Sequence, residues 1–461
     1  MRSWLVGPAV AASLGLGAAI GAGAVAWSAN DPPRIQSAPS EDTFRQLELF
    51  ADVLAKVQTD YVTEPKDEEL IEAAINGMLA SLDPHSSYMD AESFRDMQVQ
   101  TKGQYGGLGI EVTAEDGVVK VISPIDDTPA SRAGIKSGDR FVAIDGQSIV
   151  GLPLSEAVKK MRGPVGTAIR ITILREGTEE PFEVSLTRET IEVRAVTHRV
   201  EAGDIGYIRI STFNETTGDK TEAALRDLRR QLGGRMKGIV LDLRNNGGGL
   251  LDQAIEVSDL FMDGGEVVST RGRDPADIDR YNARRGEMAP GVPVVVLINQ
   301  GSASASEIVA GALQDRGRAT VVGMDSFGKG SVQTVLPLRG GALRLTTAKY
   351  YTPAGRSIQA TGIEPDIEVS AVRVTKEDIE KAALVFRGEE DLPHALGNEE
   401  GARRRAPHLP DDMPPADWKE GEDYQLKRAV DVLRGTAPVQ RSAEAAPRTV
   451  AAAPATTTTR D

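Results

Sequence analysis

Between residues 43 and 97 the apolar side chains recur every three to four positions, as in Phe44, Leu47, Phe50, Leu54 and Val57, then Leu70, Ala73, Ile75, Met78 and Leu79. That period lines one face of two or three helices. From residue 103 the pattern changes to short β-rich runs at 109–112, 118–122, 139–144, 168–174 and 182–186, divided by Gly and Asp turns and interrupted by helical patterns at 131–134 and 154–161. Beyond residue 191, apolar strand patterns at 205–210, 238–243, 292–298 and 343–350 alternate with amphipathic helices at 220–232, 251–261 and 303–314, a βα order. A helical piece follows Val374, then a Pro- and acid-rich stretch at 388–423 and a last helical pattern at 424–433.

The expected organisation is therefore a helical region at 41–100, a β-rich domain at 103–190, an α/β domain at 191–370, a C-terminal helical or assembly region at 371–434, and a disordered Ala-, Thr- and Pro-rich tail at 435–461. No internal repeat of fixed period is present, which sets aside solenoids and propellers. At the start of the chain, Arg2 precedes an uncharged stretch rich in Ala, Gly, Leu and Val, with Ala24-Val25-Ala26 as a small-residue cleavage pattern. Residues 1–29 read as an export signal. They are also long enough to span a bilayer as an uncleaved anchor. Either way the rest is expected outside the cytoplasm, in the periplasm or on the periplasmic side of the inner membrane.

Composition narrows the chemistry. With 53 basic and 68 acidic residues the net charge is −15, so no global positive field attracts nucleic acid. The absence of cysteine removes disulfides, thiolate metal sites and a cysteine nucleophile together. The four histidines (His85, His198, His394, His408) form no short-range ligand pattern, so a hydrolase here need not use histidine as its base. His85, in Asp83-Pro84-His85-Ser86-Ser87, reads as a turn residue.

Tyr105-Gly106-Gly107-Leu108-Gly109-Ile110-Glu111-Val112 sets a Gly-rich turn directly before a strand. Successive N–H groups of Gly107, Leu108, Gly109 and Ile110 can converge on a carboxylate, while the strand edge adds an extended peptide. Taken alone, such a turn more often needs Gly for steric reasons. About 25 residues on, Ala133-Gly134-Ile135-Lys136-Ser137-Gly138-Asp139 resembles the core motif of PDZ domains, and the helix at 154–161 would flank their peptide groove.

The apolar run at 292–298 leads through Gly301-Ser302-Ala303-Ser304-Ala305-Ser306-Glu307 into a helix. A serine there would sit where unpaired N–H groups and the helix dipole favour a developing oxyanion, although a lone serine before a helix is usually only its cap. Position alone leaves Ser302, Ser304 and Ser306 equivalent. Downstream, Phe327-Gly328-Lys329-Gly330-Ser331-Val332-Gln333 holds a lysine between glycines. Desolvation would lower that amine towards neutrality and let it act as a general base, with Gln333 placed to hold it. Asp242-Leu243-Arg244-Asn245-Asn246-Gly247-Gly248-Gly249 ends a strand in a triple-Gly loop able to supply a backbone donor.

Taken in order behind a PDZ-like unit, these three motifs resemble the carboxy-terminal processing peptidases, the tail-specific proteases of serine peptidase family S41. Tyr351-Thr352-Pro353-Ala354-Gly355 and Gly362-Ile363-Glu364-Pro365-Asp366 add to the resemblance. It implies an α/β, crotonase-like peptidase core with a β-rich PDZ domain and helical ends. It further implies Ser304 as nucleophile, Lys329 as base, Gln333 as the residue orienting the lysine, and an oxyanion hole from the N–H groups of Gly249 and Ala305. No metal or cofactor is expected. The expected substrates are proteins with free, apolar C-termini, and the expected assembly is a homo-oligomer, with membrane association through the N-terminus and an adaptor or activator protein left open. The competing reading is a non-catalytic or autoinhibited PDZ adaptor that only holds exported protein tails.

Overall fold

A computed structural model describes residues 40–436 apart from 116, 179, 275, 383–387 and 420. The export or anchor stretch at 1–29 and nearly all of the tail expected from residue 435 lie outside the described residues. The chain divides into one unit ending at Asp67 and another beginning at Glu68.

In the first unit the helix Glu41–Asp60 is capped by Ser40 Oγ, which accepts from Thr43 N at 3.2 Å, and carries Glu41 and Asp42 against the positive end of its dipole. None of its residues is buried.

Among the described residues the second unit contains three hydrophobic cores, one in the β-rich domain and one on each face of the α/β sheet. The β-rich domain is an antiparallel sheet in the order Ile110–Glu115, Val118–Pro124, Arg140–Ile144, Ala168–Leu174 and Phe182–Thr187. Alternation along the fourth strand turns Ile169, Ile171 and Ile173 inward, where they pack with Phe141, Val119 and Val121. The helix Leu154–Met161 lies over this core with Ala157 and Met161 buried, and the first strand forms the sheet's edge.

The α/β domain is built on a six-stranded sheet in chain order: Val196–Glu201, Ile205–Ile210, Gly238–Asp242, Val294–Ile298, Ala319–Gly323 and Ile367–Glu368. Its first pair is antiparallel and the remainder parallel. Gly238–Asp242 and Val294–Ile298 are buried at every position, as expected of strands covered on both faces. Helices Thr217–Leu232, Leu251–Asp259 and Ala305–Asp315 supply one covering layer, and Tyr424–Leu433 covers the opposite face.

A second sheet was not foreseen from the sequence. It joins Ser87–Asp90, Gly341–Tyr351, Gly265–Arg271 and Ile278–Ala283, with Ser331–Leu338 on the other edge of Gly341–Tyr351. Because Ser87 pairs with Arg344, the turn at 83–86 is carried next to Gly341–Tyr351, the strand that also pairs with the one following Lys329. The stretch at 388–423 is mostly irregular, yet it packs against the domain rather than trailing from it, with Glu389 at 1% exposure.

Candidate active site

Ser304 stands where the strand Val294–Ile298 has ended and the helix Ala305–Asp315 begins. Its φ of 55° is unusual for a side chain larger than Gly, and Ser304 is 7% exposed. The neighbouring serines are fully buried and spent on structure: Ser302 Oγ donates to Leu243 O at 2.8 Å, and Ser306 Oγ to Asn246 O at 2.8 Å. Both bonds pin the triple-Gly loop to the serine turn. The Ser304 hydroxyl instead meets Tyr350, whose phenol is pushed up by burial and drawn back by the serine.

The triple-Gly loop lies directly against that turn. A Cβ on Gly248 would come within 2.8 Å of Ala303 O and of Ser304 Cβ, and Gly248 holds a φ of 99°, so only glycine fits. Gly248 N donates to Asn246 Oδ1 at 2.9 Å and Leu250 N to Phe213 O at 2.8 Å. Between them, the N–H of Gly249 has no hydrogen-bond partner among the described residues, and neither has that of Ala305 at the start of the helix.

Lys329 is brought to the same place by a carboxylate. Glu307, with no exposed surface, accepts from Ser304 N at 2.7 Å and Lys329 N at 3.0 Å through Oε2, and from Gly328 N at 2.7 Å and Ser326 Oγ at 2.5 Å through Oε1. One side chain thus ties the serine turn to the lysine loop. The Lys329 ammonium is depressed by burial and by Arg344, with Glu389, Glu307 and Asp83 opposing. Among the described residues no hydrogen bond joins Ser304 Oγ to Lys329 Nζ. Gln333 Nε2 donates to Ser331 Oγ at 3.0 Å and Thr346 Oγ1 at 3.2 Å rather than meeting the amine.

Thr346 Oγ1 in turn donates to Asp83 Oδ1 at 3.0 Å. Burial raises the Asp83 carboxyl, but bonds from Ser86, His85 N and Thr346 outweigh it and hold it below the usual range. His85 is therefore more than a turn residue: its Nε2 lies 2.9 and 2.8 Å from the two oxygens of Glu389. Sequence reasoning missed Glu307, Tyr350, Asp83, Gln359 and Glu389 as site residues. Glu307 carried a signal, an acid three positions after a serine helix cap. The others are assembled by strand pairing and by the returning C-terminal segment.

In the β-rich domain, Gly109 has a φ of 74°, and a Cβ there would lie 2.3 Å from Thr128 Cβ. The carbonyls of this turn are consumed by Ala130 N on Leu108 O at 3.0 Å and Ile125 N on Gly109 O at 2.9 Å. The N–H groups of Leu108 and Gly109 have no partner among the described residues. They open at the unpaired edge of Ile110–Glu115, beside partly buried Ile110, Leu154 and Val158. This edge, with its apolar wall and free donors, suits an extended chain ending in a carboxylate.

The models of peptidase family S41 and of the PDZ domain match residues 204–369 and 106–186, and that of the N-terminal domain of the activating protease CtpB matches 19–93. A carboxy-terminal-processing protease of Bartonella bacilliformis is 53% identical over 398 residues, 86% of this chain and 90% of that protein. The carboxy-terminal processing protease CtpA of Bacillus subtilis is 36% identical over 315 residues, 68% of this chain and 66% of its own length. Among solved structures, a photosystem II D1 C-terminal processing protease is 29% identical, with a TM-score of 0.42 over 75% of this chain and 92% of that one.

Proposed function

The chain belongs to the carboxy-terminal processing proteases of family S41, which are serine peptidases, and we propose that Ser304 and Lys329 form its catalytic dyad, fed by tails captured in the PDZ domain. The observation that carries this reading is the Glu307 carboxylate, which holds the backbone of Ser304 and that of a half-buried lysine at once.

In this reading an unfolded protein lays its C-terminus along the edge of Ile110–Glu115, with its carboxylate on the N–H groups of the Gly107–Ile110 turn and its last apolar side chain near Leu154 and Val158. The scissile carbonyl enters between the triple-Gly loop and the helix Ala305–Asp315. The neutral Lys329 amine takes the Ser304 proton as Oγ attacks, and the oxyanion meets the N–H groups of Gly249 and Ala305. Lys329, now an ammonium, returns the proton to the leaving amine. Water then hydrolyses the acyl-enzyme with the same lysine as base. Gln333, four positions from Lys329 on the adjoining strand, orients the amine once substrate is bound. The partial burial of Lys329, which depresses its ammonium, supports the base role, because a fully solvated ammonium would stay charged at neutral pH. Export through residues 1–29 supplies the extracytoplasmic setting, and the exposed face of Glu41–Asp60 pairs with a second copy.

The test is cleavage of an unfolded protein with an apolar tail, offered with a free or an amidated C-terminus. Ser304→Ala and Lys329→Ala are each expected to abolish cleavage without unfolding the chain, and amidation to weaken it. The parent's rate should rise with pH through the depressed value of the lysine. Cleavage surviving in purified Lys329→Ala would overturn the dyad, and tail binding without any cleavage by the parent would favour the adaptor reading.

A further inference from the structure

The segment that follows the peptidase core turns back onto the lysine loop. Glu389 N donates to Phe327 O at 3.0 Å, and Arg405 Nη2 donates to Asp325 Oδ1 at 2.9 Å. The Glu389 side chain is almost wholly enclosed: besides His85 Nε2, its Oε1 accepts from Gln359 Nε2 at 3.2 Å. Gln359 Oε1 accepts from Gly330 N at 2.9 Å, so the acid is linked through one amide to the backbone beside Lys329. Arg344 Nε donates to His85 O at 3.1 Å, which closes the circuit through the strand Gly341–Tyr351.

A buried carboxylate is costly unless it is paired, and a structural clasp between Gln359 and His85 does not require one. A glutamine at 389 would accept from Gln359 and donate to a neutral His85 with nearly the same shape. The charge therefore has a consequence beyond the clasp, and besides His85 the Lys329 amine is a group that feels it. That amine faces Arg344 from Gly341–Tyr351, Glu389 from the returning segment, Glu307 from the helix Ala305–Asp315, and Asp83 from the 83–86 turn. Glu389 itself faces His85 and Gln359, with Arg404 packed beside Gly388.

We propose that Glu389, clasped by His85 and Gln359, is a positioning residue for peptide hydrolysis: it anchors the lysine loop, and its carboxylate balances Arg344 across the Lys329 amine. The proposal rests on Lys329 being the base. In the ground state the carboxylate favours the ammonium, and after proton transfer from Ser304 it stabilises the ammonium that has formed. Removing it makes the amine neutral at lower pH but a weaker acceptor.

Two readouts in the full chain test this separately from the dyad itself. The first is the pH–rate profile of peptidase activity for the parent, Glu389→Gln and Arg344→Gln. The second, in a Ser304→Ala background, is the pH dependence of Lys329 acetylation by dilute acetic anhydride, read by mass spectrometry and independent of catalysis. The labelling midpoint and the acid limb of the rate profile should both move to lower pH in Glu389→Gln, with a reduced plateau rate, and to higher pH in Arg344→Gln. Glu389→Asp should return both towards the parent. A labelling midpoint that moves while the rate profile stays in place supports the charge balance and overturns Lys329 as base. A midpoint unmoved in Glu389→Gln overturns the proposal. Arg344 is exposed, so its variant reads the same balance in a fold the clasp still holds; no upward shift there overturns the proposal as well.

Discussion

Glu307 receives four hydrogen bonds, and two effects on it oppose one another: burial disfavours the charged carboxylate, and the four donors favour it. Burial prevails and pushes the carboxyl from 4.5 up to about 7. Because the folded value lies above the unfolded one, folding takes up a proton between them. The stability this group contributes is full below 4.5 and is lost as pH rises through about 7. The gap corresponds to about 3 kcal/mol. Glu307→Gln cannot titrate, so the thermal midpoint of the parent minus that of the variant should fall steadily as pH rises across this window. A difference flat with pH would show that Glu307 keeps one charge state throughout. The same residue shows what a sequence yields at this scale. Its spacing from Ser304 marked a helix start, but not that its carboxylate also holds Gly328 and Lys329. The three serines could not be separated by local pattern, because what distinguishes them is whether their hydroxyls reach carbonyls about 60 residues upstream.

Elements with a strong apolar period were legible nearly to the residue. The helices Leu154–Met161 and Tyr424–Leu433 and the strands Ile205–Ile210 and Ala168–Leu174 fall where the pattern placed them. The second sheet was not read, because most of Gly265–Arg271, Ile278–Ala283 and Ser331–Leu338 lacks the continuous apolar run that marks a strand buried on both faces. The helix Glu41–Asp60 was read correctly but poses a question of its own. A helix of this length with no buried residue is marginal in water. Phe44, Leu47, Phe50 and Val53 form a stripe at helical spacing, each 45–56% exposed. A second copy of the same stripe would cover it, which is the basis of the proposed self-association through this element. Leu47→Asp sets a charge in the middle of the stripe. The parent is expected to sediment as a dimer or larger and the variant as a monomer at equal concentration, with unchanged far-UV dichroism. A monomeric parent would remove the helix from any role in assembly.

At the scale of the whole molecule, the C-terminal end acts as a buttress for the triple-Gly loop. The order of domains was legible because each has its own period of apolar residues; the docking of the final helix was not, since an amphipathic stripe does not name the face it covers. Leu426, Ala429 and Val430 lie against Ile205, Val240, Val295 and Leu297 on the face of the central sheet opposite the helix Ala305–Asp315. Just before the final helix Tyr424–Leu433, Asp423 pairs with Arg244 at 2.6 Å, and Arg244 with fully buried Asp242 at 2.6 Å. Gln425 bridges Arg244 and Val369 O. Arg244 stands two residues before Asn246, which holds Gly248 N, Ala303 N and Ser306 Oγ. Removing residues 423–461 therefore uncovers one face of the central sheet and releases the partners that hold Arg244 beside the triple-Gly loop. Burying a Leu or Val contributes about 1.5–3 kcal/mol each, and the sheet residues beneath are uncovered as well, so the loss should reach about 5 kcal/mol. Against a typical total of about 5–15 kcal/mol, the truncated chain is expected to be largely unfolded or aggregated. Asp423→Asn is the milder probe: it keeps the helix and its cap but weakens the hold on Arg244. Its rate of peptide hydrolysis should fall while PDZ binding of a free tail, followed by fluorescence anisotropy, stays at the parent's value. An unchanged rate would mean that the loop holds its shape without the buttress.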